Sequence, residues 1–178
     1  MRAHNGMKAQ DCLVLLKIVD LGIESWMAKD LASLVGLSQA EVSMSLERSR
    51  YAKLLDESKR RVNTKALHDF LVYGLRVVFP VQMGGVVRGI PTAWSAPPLA
   101  KSFQGASAVV WPSELGSMRG EAIEPLYPSV TKAVTNSTTL HELMALTDAL
   151  RIGRAREVAL ASRILSQRFE SYALLVKH

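Results

Sequence analysis

Between Ala9 and Leu21 the apolar residues Cys12, Leu13, Leu16 and Val19 follow the spacing of one helix face. Val14, Leu15 and Ile18 add a second apolar face. A helix with two apolar sides is buried on both or lies in a subunit interface. Gly22 is a natural stop just past it. The pattern predicts a second, shorter helix over Ala28–Val35, ended by Gly36, with Trp26 and Leu31 spaced as a hydrophobic staple around Met27. Ser38 and Glu41 then form an S-x-x-E capping box that opens a third helix over about 38–52. Leu54, Leu55 and Val62 bracket the polar turn 56–61, the outline of a very short hairpin. A fourth helix over about 64–79, capped by Asn63 and stopped by Pro80, places Leu67, Phe70, Leu71, Leu75 and Val78 on one side.

The pattern changes at residue 80. All seven prolines and six of the eleven glycines lie in residues 80–128, which predicts loops, turns and short strands there. Ser107 to Pro112 has the look of a buried strand, and Met118-Arg119-Gly120 echoes Val87-Arg88-Gly89. Residues 129–178 return to helical spacing without a proline. Leu140, Leu143, Met144, Leu146 and Leu150 mark one helix of about 140–152; Val158, Ala161, Ile164, Leu165 and Phe169 mark another of about 154–171. The expected fold is mainly α with small β content. Residues 1–79 form one domain; residues 80–178 form a ligand-, partner- or dimerisation region that ends in a helical hairpin.

The run from Lys29 to Leu46 resembles a winged helix-turn-helix DNA-binding domain of the kind found in bacterial MarR-like regulators and antitoxins. Ala32 stands at the small position where two helices cross, Gly36 at the turn, and Leu31, Leu37, Val42 and Leu46 in the shared core. The resemblance covers about residues 9–79. It implies that the third helix enters the major groove while the second sets its angle against the backbone.

On that helix, 100° per residue puts Val42, Leu46 and Ser49 inside and Ala40, Met44, Glu47 and Tyr51 outside, flanked by Ser43 and Arg48. Ser38 and Gln39 lie at its N-terminus, where free backbone N–H groups suit a phosphate. The expected DNA-contacting residues are therefore Ser38, Gln39, Ala40, Ser43, Met44 and Arg48, with Lys59, Arg60 and Arg61 of the hairpin on the phosphate backbone. Ala40 and Met44 offer apolar contact to thymine methyl groups, whereas Glu47 repels phosphate.

Charge fits this picture without demanding it. The chain carries 22 Lys and Arg against 16 Asp and Glu, net +6. Between Asp69 and Glu114 there is no acidic residue. Two readings of that middle segment follow: a ligand pocket with Arg88 and Arg119 as anion ligands and Trp94 or Trp111 as a stacking wall, or a compact subdomain with the tryptophans as core. The cluster Arg151, Arg154 and Arg156 touches nucleic acid or an acidic partner, or else compensates a helix dipole.

Other chemistry is poorly represented. Cys12 is a single cysteine on an apolar helix, which excludes a disulfide framework and multi-cysteine zinc sites. His4, His68, His141 and His178 have no second ligand at metal-binding spacing, and no catalytic motif or dinucleotide fingerprint is present. No cofactor, metal or catalytic group is expected. Residues 1–8 lack the apolar stretch of a signal peptide, and no segment has the length and apolarity of a membrane span. The chain reads as a cytoplasmic, homodimeric regulator of transcription that binds double-stranded DNA and is not an enzyme. The alternative is a protein-interaction module, such as an antitoxin whose C-terminal part binds a toxin.

Overall fold

A computed structural model describes residues 6–177; His4 and His178, and the first five of residues 1–8, lie outside the described residues. The N-terminal segment forms α1 (Ala9–Leu21), α2 (Ala28–Val35) and α3 (Gln39–Tyr51). α1 is buried without a break from Asp11 to Val19. α2 and α3 pack on it, and so does the distant helix α7 (Thr138–Ile152). Both apolar faces of α1 are thus satisfied inside the chain. Gly22 and Gly36 adopt φ of +61° and +67°, values open to glycine at little cost, and Gly36 is the left-handed cap that ends α2.

After α3, Leu55 and Val62 make a single antiparallel bridge. The turn between them is tied by Asp56, whose carboxylate accepts the backbone N–H groups of Arg60 and Arg61 at 2.9 and 3.1 Å. The next helix is α4 (Thr64–Asp69), a π-helical stretch (Phe70–Gly74) and α5 (Leu75–Val78) in succession, with Asn63 capping α4. Its buried stripe is Leu67, Leu71 and Leu75, while Phe70 is half-buried and Val78 exposed. This corrects the expected face. The wider π turn absorbs the drift of a four-residue repeat, so 67, 71 and 75 stay aligned and Val78 rotates to solvent.

The proline- and glycine-rich middle contains β1 (Val86–Pro91), β2 (Val109–Pro112) and β3 (Met118–Ala122). β1 is antiparallel to both others, β2 and β3 are parallel, and the three close on one another. So tight a closure needs glycine. A Cβ on Gly89 would lie 2.1 Å from the Trp111 carbonyl oxygen, and one on Gly116 would lie 2.0 Å from the Gly89 carbonyl carbon.

A short α6 (Val130–Ala133) leads into α7, and α8 (Ala155–Leu175) folds back along it. α7 is the central helix, buried on nearly every side by α1, α5, α8 and the turn at Ala93–Ser95. It carries a charge into the core. Fully buried Asp148 accepts hydrogen bonds from Arg151 (2.9 Å), the Thr92 hydroxyl (2.9 Å) and the Trp111 indole N–H (2.6 Å). Arg151 also donates to the carbonyls of Phe79 and Glu124. Arg151 is therefore an internal clamp between α7 and the middle segment, and the reading of it as a nucleic-acid contact is withdrawn. One apolar cluster runs from α1 to Tyr172, across residue 79. The fold is mainly α with a small three-stranded sheet, and no helix among the described residues is long and apolar enough to cross a membrane.

Candidate nucleic-acid interface

α3 starts where its sequence places it. The Ser38 hydroxyl accepts the Glu41 N–H at 3.2 Å, and Glu41 accepts the Ser38 N–H at 2.8 Å. These hydrogen bonds hold the Glu41 carboxyl below its ordinary range. Inside, Val42, Ser45, Leu46, Arg48 and Ser49 are buried against α1 and α2. The small side chains of Ser45 and Ser49 let the helices approach closely. Their hydroxyls have no hydrogen-bond partner among the described residues. Outside, Ser38, Gln39, Ala40, Ser43, Met44, Glu47 and Tyr51 are exposed, Met44 by 53% and Tyr51 by 65%. Five of the nine expected contact residues (Ser38, Gln39, Ala40, Ser43, Met44) therefore share one bare surface.

Arg48 does not belong to that surface. Its guanidinium turns inward and grips the buried Asp11 carboxylate with two hydrogen bonds of 2.9 and 2.6 Å. The expectation that Arg48 meets DNA is corrected: the residue pins α3 to α1. A carboxylate at position 11 inside an apolar helix was the sequence signal for a buried cationic partner.

The hairpin cations are also partly engaged. Lys59 bonds to Glu47, and Arg50 joins Glu47 (3.1 Å) to Glu57 (2.8 Å), which Lys53 also reaches at 3.0 Å. The resulting chain, Lys59–Glu47–Arg50–Glu57–Lys53, neutralises the glutamate expected to repel phosphate. Hydrogen bonds from Lys59, then Arg50, hold the Glu47 carboxyl below its ordinary value. Arg60 lies 4.4 Å from the centre of the Trp26 ring and donates to the Trp26 carbonyl. Arg61 is exposed, and no acidic side chain pairs with it, Lys29 or Lys65 among the described residues.

The middle segment splits the expected ligand set. Arg88 and Arg119 face each other across β1 and β3 in register, both exposed. The tryptophans do not join them. Trp111 is fully buried and bonded to Asp148, while half-buried Trp94 donates to the Ser107 carbonyl at 2.8 Å. Full burial rules out Trp111 as a stacking wall and makes it the core residue of the second reading, while Trp94 packs half-buried on the core with its N–H satisfied.

Catalytic geometry is equally specific in what it offers. Ser162, His68 and Asp69 look like a nucleophile, base and acid, but His68 Nε2 lies 3.0 Å from the Ser162 carbonyl oxygen and 3.3 Å from its hydroxyl. A nitrogen that donates to that carbonyl does not take the hydroxyl proton, and Nδ1 to Asp69 is 3.9 Å, too long for an orienting hydrogen bond. His141 Nε2 bonds to the Pro91 carbonyl. Burial pushes the Cys12 thiol up to about 12, leaving it a core residue rather than a nucleophile. No group of three His, Cys, Asp or Glu side chains suited to a metal ion occurs among the described residues. The chain matches no family model, no curated protein and no solved structure.

Proposed function

We propose that the chain is a winged helix-turn-helix DNA-binding regulator of transcription, with α3 in the major groove and the turn 56–61 as a short wing. One observation carries this reading: the outward side of α3 is left bare by the rest of the protein. A groove-reading helix needs such a surface, held at a fixed angle by a second helix, and α2 packs on α3 in that role. Gln39 and Ser43 supply hydrogen bonds to bases, and Ala40 and Met44 supply apolar contact. The phosphate contacts are redrawn. Arg61 and Lys29 are free to make them, Lys59 remains attached to Glu47 at the edge, and Arg60 mainly braces the wing on Trp26.

The protein acts in the cytoplasm as a homodimer, so two recognition helices meet half-sites about 34 Å apart. α7 is consumed inside the chain, which leaves the outer side of α8 as the helical surface for a second copy. Selection of bound DNA from a random pool at physiological salt tests the proposal directly. Enrichment of a two-fold motif is the expected result. Replacing Arg61 and Lys29 with alanine lowers the slope of log affinity against log salt by about one each. Recovery of no motif, with no retardation of DNA even at low salt, overturns it.

A second reading rests on the composition of the same surface. Its centre is apolar, with Met44 and Tyr51 exposed, and several neighbouring cations are already paired. That suits a protein-interaction module of the antitoxin type. Stable co-purification of a protein partner together with absent DNA binding favours this reading over the first.

A further inference from the structure

Two short segments of identical design meet in the middle of the chain. Val87-Arg88-Gly89 and Met118-Arg119-Gly120 run antiparallel, with Val87 opposite Gly120, Arg88 opposite Arg119 and Gly89 opposite Met118. The pairing therefore has a local pseudo-two-fold axis between the two arginines. Each glycine makes room for β2 or for the residue just before it. A Cβ on Gly89 would meet the Trp111 carbonyl oxygen at 2.1 Å, and one on Gly120 would meet the Ala108 carbonyl oxygen at 2.6 Å. Successive residues point to opposite sides of a strand. The glycines therefore clear one side for the backbone of β2 and the residue before it, and the arginines share the other.

Directly opposed side chains on an antiparallel pair have Cβ atoms about 5 Å apart, and like charges there are destabilising. Four other arginines are ion-paired within the protein: Arg48 with Asp11, Arg50 with Glu47 and Glu57, Arg151 with Asp148, and Arg168 with Glu142. The side chains of Arg88 and Arg119 have no ion-pair or hydrogen-bond partner among the described residues, although Glu121 follows on the same side of β3. Nothing in the packing of β1 on β3 calls for two positive charges at this position.

We propose that Arg88 and Arg119 form a clip for a phosphoryl group, held between two guanidinium forks on the pseudo-two-fold axis. Guanidinium geometry suits two oxygens of one tetrahedral anion, and two forks facing each other share the non-bridging oxygens of a phosphoryl group between them. The bound anion also removes the repulsion between the arginines. The phosphoryl group belongs either to a small phosphorylated molecule or to the backbone of a nucleic acid.

Titration of the isotopically labelled full chain with inorganic phosphate, at ionic strength held constant with chloride, tests the clip by the amide resonances of residues 88, 89, 119 and 120. Saturable shifts at those four positions are expected, with affinity about tenfold weaker in Arg88→Gln and again in Arg119→Gln. Both variants should melt at the same temperature as the parent or slightly above it in chloride, since each removes a like-charge contact. Non-saturating shifts, or equal phosphate affinity in parent and variants, overturn the proposal; so does a marked fall in melting temperature, which marks the arginines as structural. A short duplex added to the phosphate-loaded protein then assigns the source. Displacement of phosphate identifies a nucleic-acid phosphate, and retention identifies a small phosphorylated molecule. Because inorganic phosphate is the probe, the clip stands or falls independently of DNA binding at α3.

Discussion

Arg48 and Asp11 are the clearest case of a residue whose place is set by its partner rather than its helix position. An arginine on the flank of α3 reaches solvent by rotation alone, yet burial of Asp11 in α1 would leave a lone carboxylate without it. Removing one member of such a pair leaves the other charged and dry. Arg48→Met is therefore expected to cost about 3–5 kcal/mol of stability. Adding Asp11→Leu should restore a large part of that loss, and chemical denaturation of both single variants and the double variant measures the coupling. If Arg48→Met unfolds at the parent's denaturant midpoint, the pair is not a structural lock. Gly89 makes the same point for backbone. Gly89→Ala has no room for its methyl group against the Trp111 carbonyl, and a loss of about 3 kcal/mol or more is expected, read by the same denaturation experiment. Asp11, a charge in an apolar helix, and Gly89, a glycine among apolar residues, are each a signal in the sequence that its apolar spacing leaves unread. The sequence held no information on which residue, 37 or 22 positions away, they would meet.

Among the elements, α3 and its neighbouring turn are held by a different kind of interaction from α7, and pH separates them. Glu41, Glu47 and Glu57 all have carboxyls below the ordinary value of 4.5, through hydrogen bonds to the Ser38 backbone and to Lys59, Lys53 and Arg50. A carboxylate lowered in the folded state contributes stability above its unfolded value, and that contribution is lost as pH falls through the folded value. Asp148 behaves in the opposite sense, because burial raises its carboxyl despite the bonds from Arg151, Thr92 and Trp111. Lowering the pH towards its folded value does not weaken α7 through that group. Hydrogen exchange of backbone amides should therefore show α3 and residues 52–62 losing protection below about pH 4.5 while α7 keeps its own. Equal losses in both elements would contradict the assignment. The helices themselves were legible: α1 and α2 have the boundaries that apolar spacing and glycine stops define, and the Ser38–Glu41 cap forms. The π-helical stretch was not, because a widened turn leaves no mark in apolar spacing when Leu67, Leu71 and Leu75 remain acceptable as an α-helical stripe.

At the scale of the whole molecule, the change in composition at residue 80 marks a change in local structure, whereas the apolar core continues across it. Spacing read within a window locates surfaces that must be buried without naming what buries them, so the second apolar side of α1 did not identify α7. The dependence is reciprocal. α7 and α1 bury one another, α8 packs on α4, and the Tyr172 hydroxyl near the end of α8 accepts the N–H of Val62 beside the turn at 3.2 Å. A fragment of residues 1–79 would therefore expose the α7-facing side of α1 and lose the support of its hairpin, and should unfold without a cooperative transition. Mixed with a fragment of residues 80–178, it should regain dispersed amide resonances and a single melting transition, because the missing partner for its core is supplied in trans. Cooperative melting of the 1–79 fragment alone would place the stability of α1–α3 within that fragment and sink the interdependence. If DNA is then bound by the reconstituted pair but not by the fragment, the angle of α3 is set by the whole core, and the bare surface is a property of the complete chain.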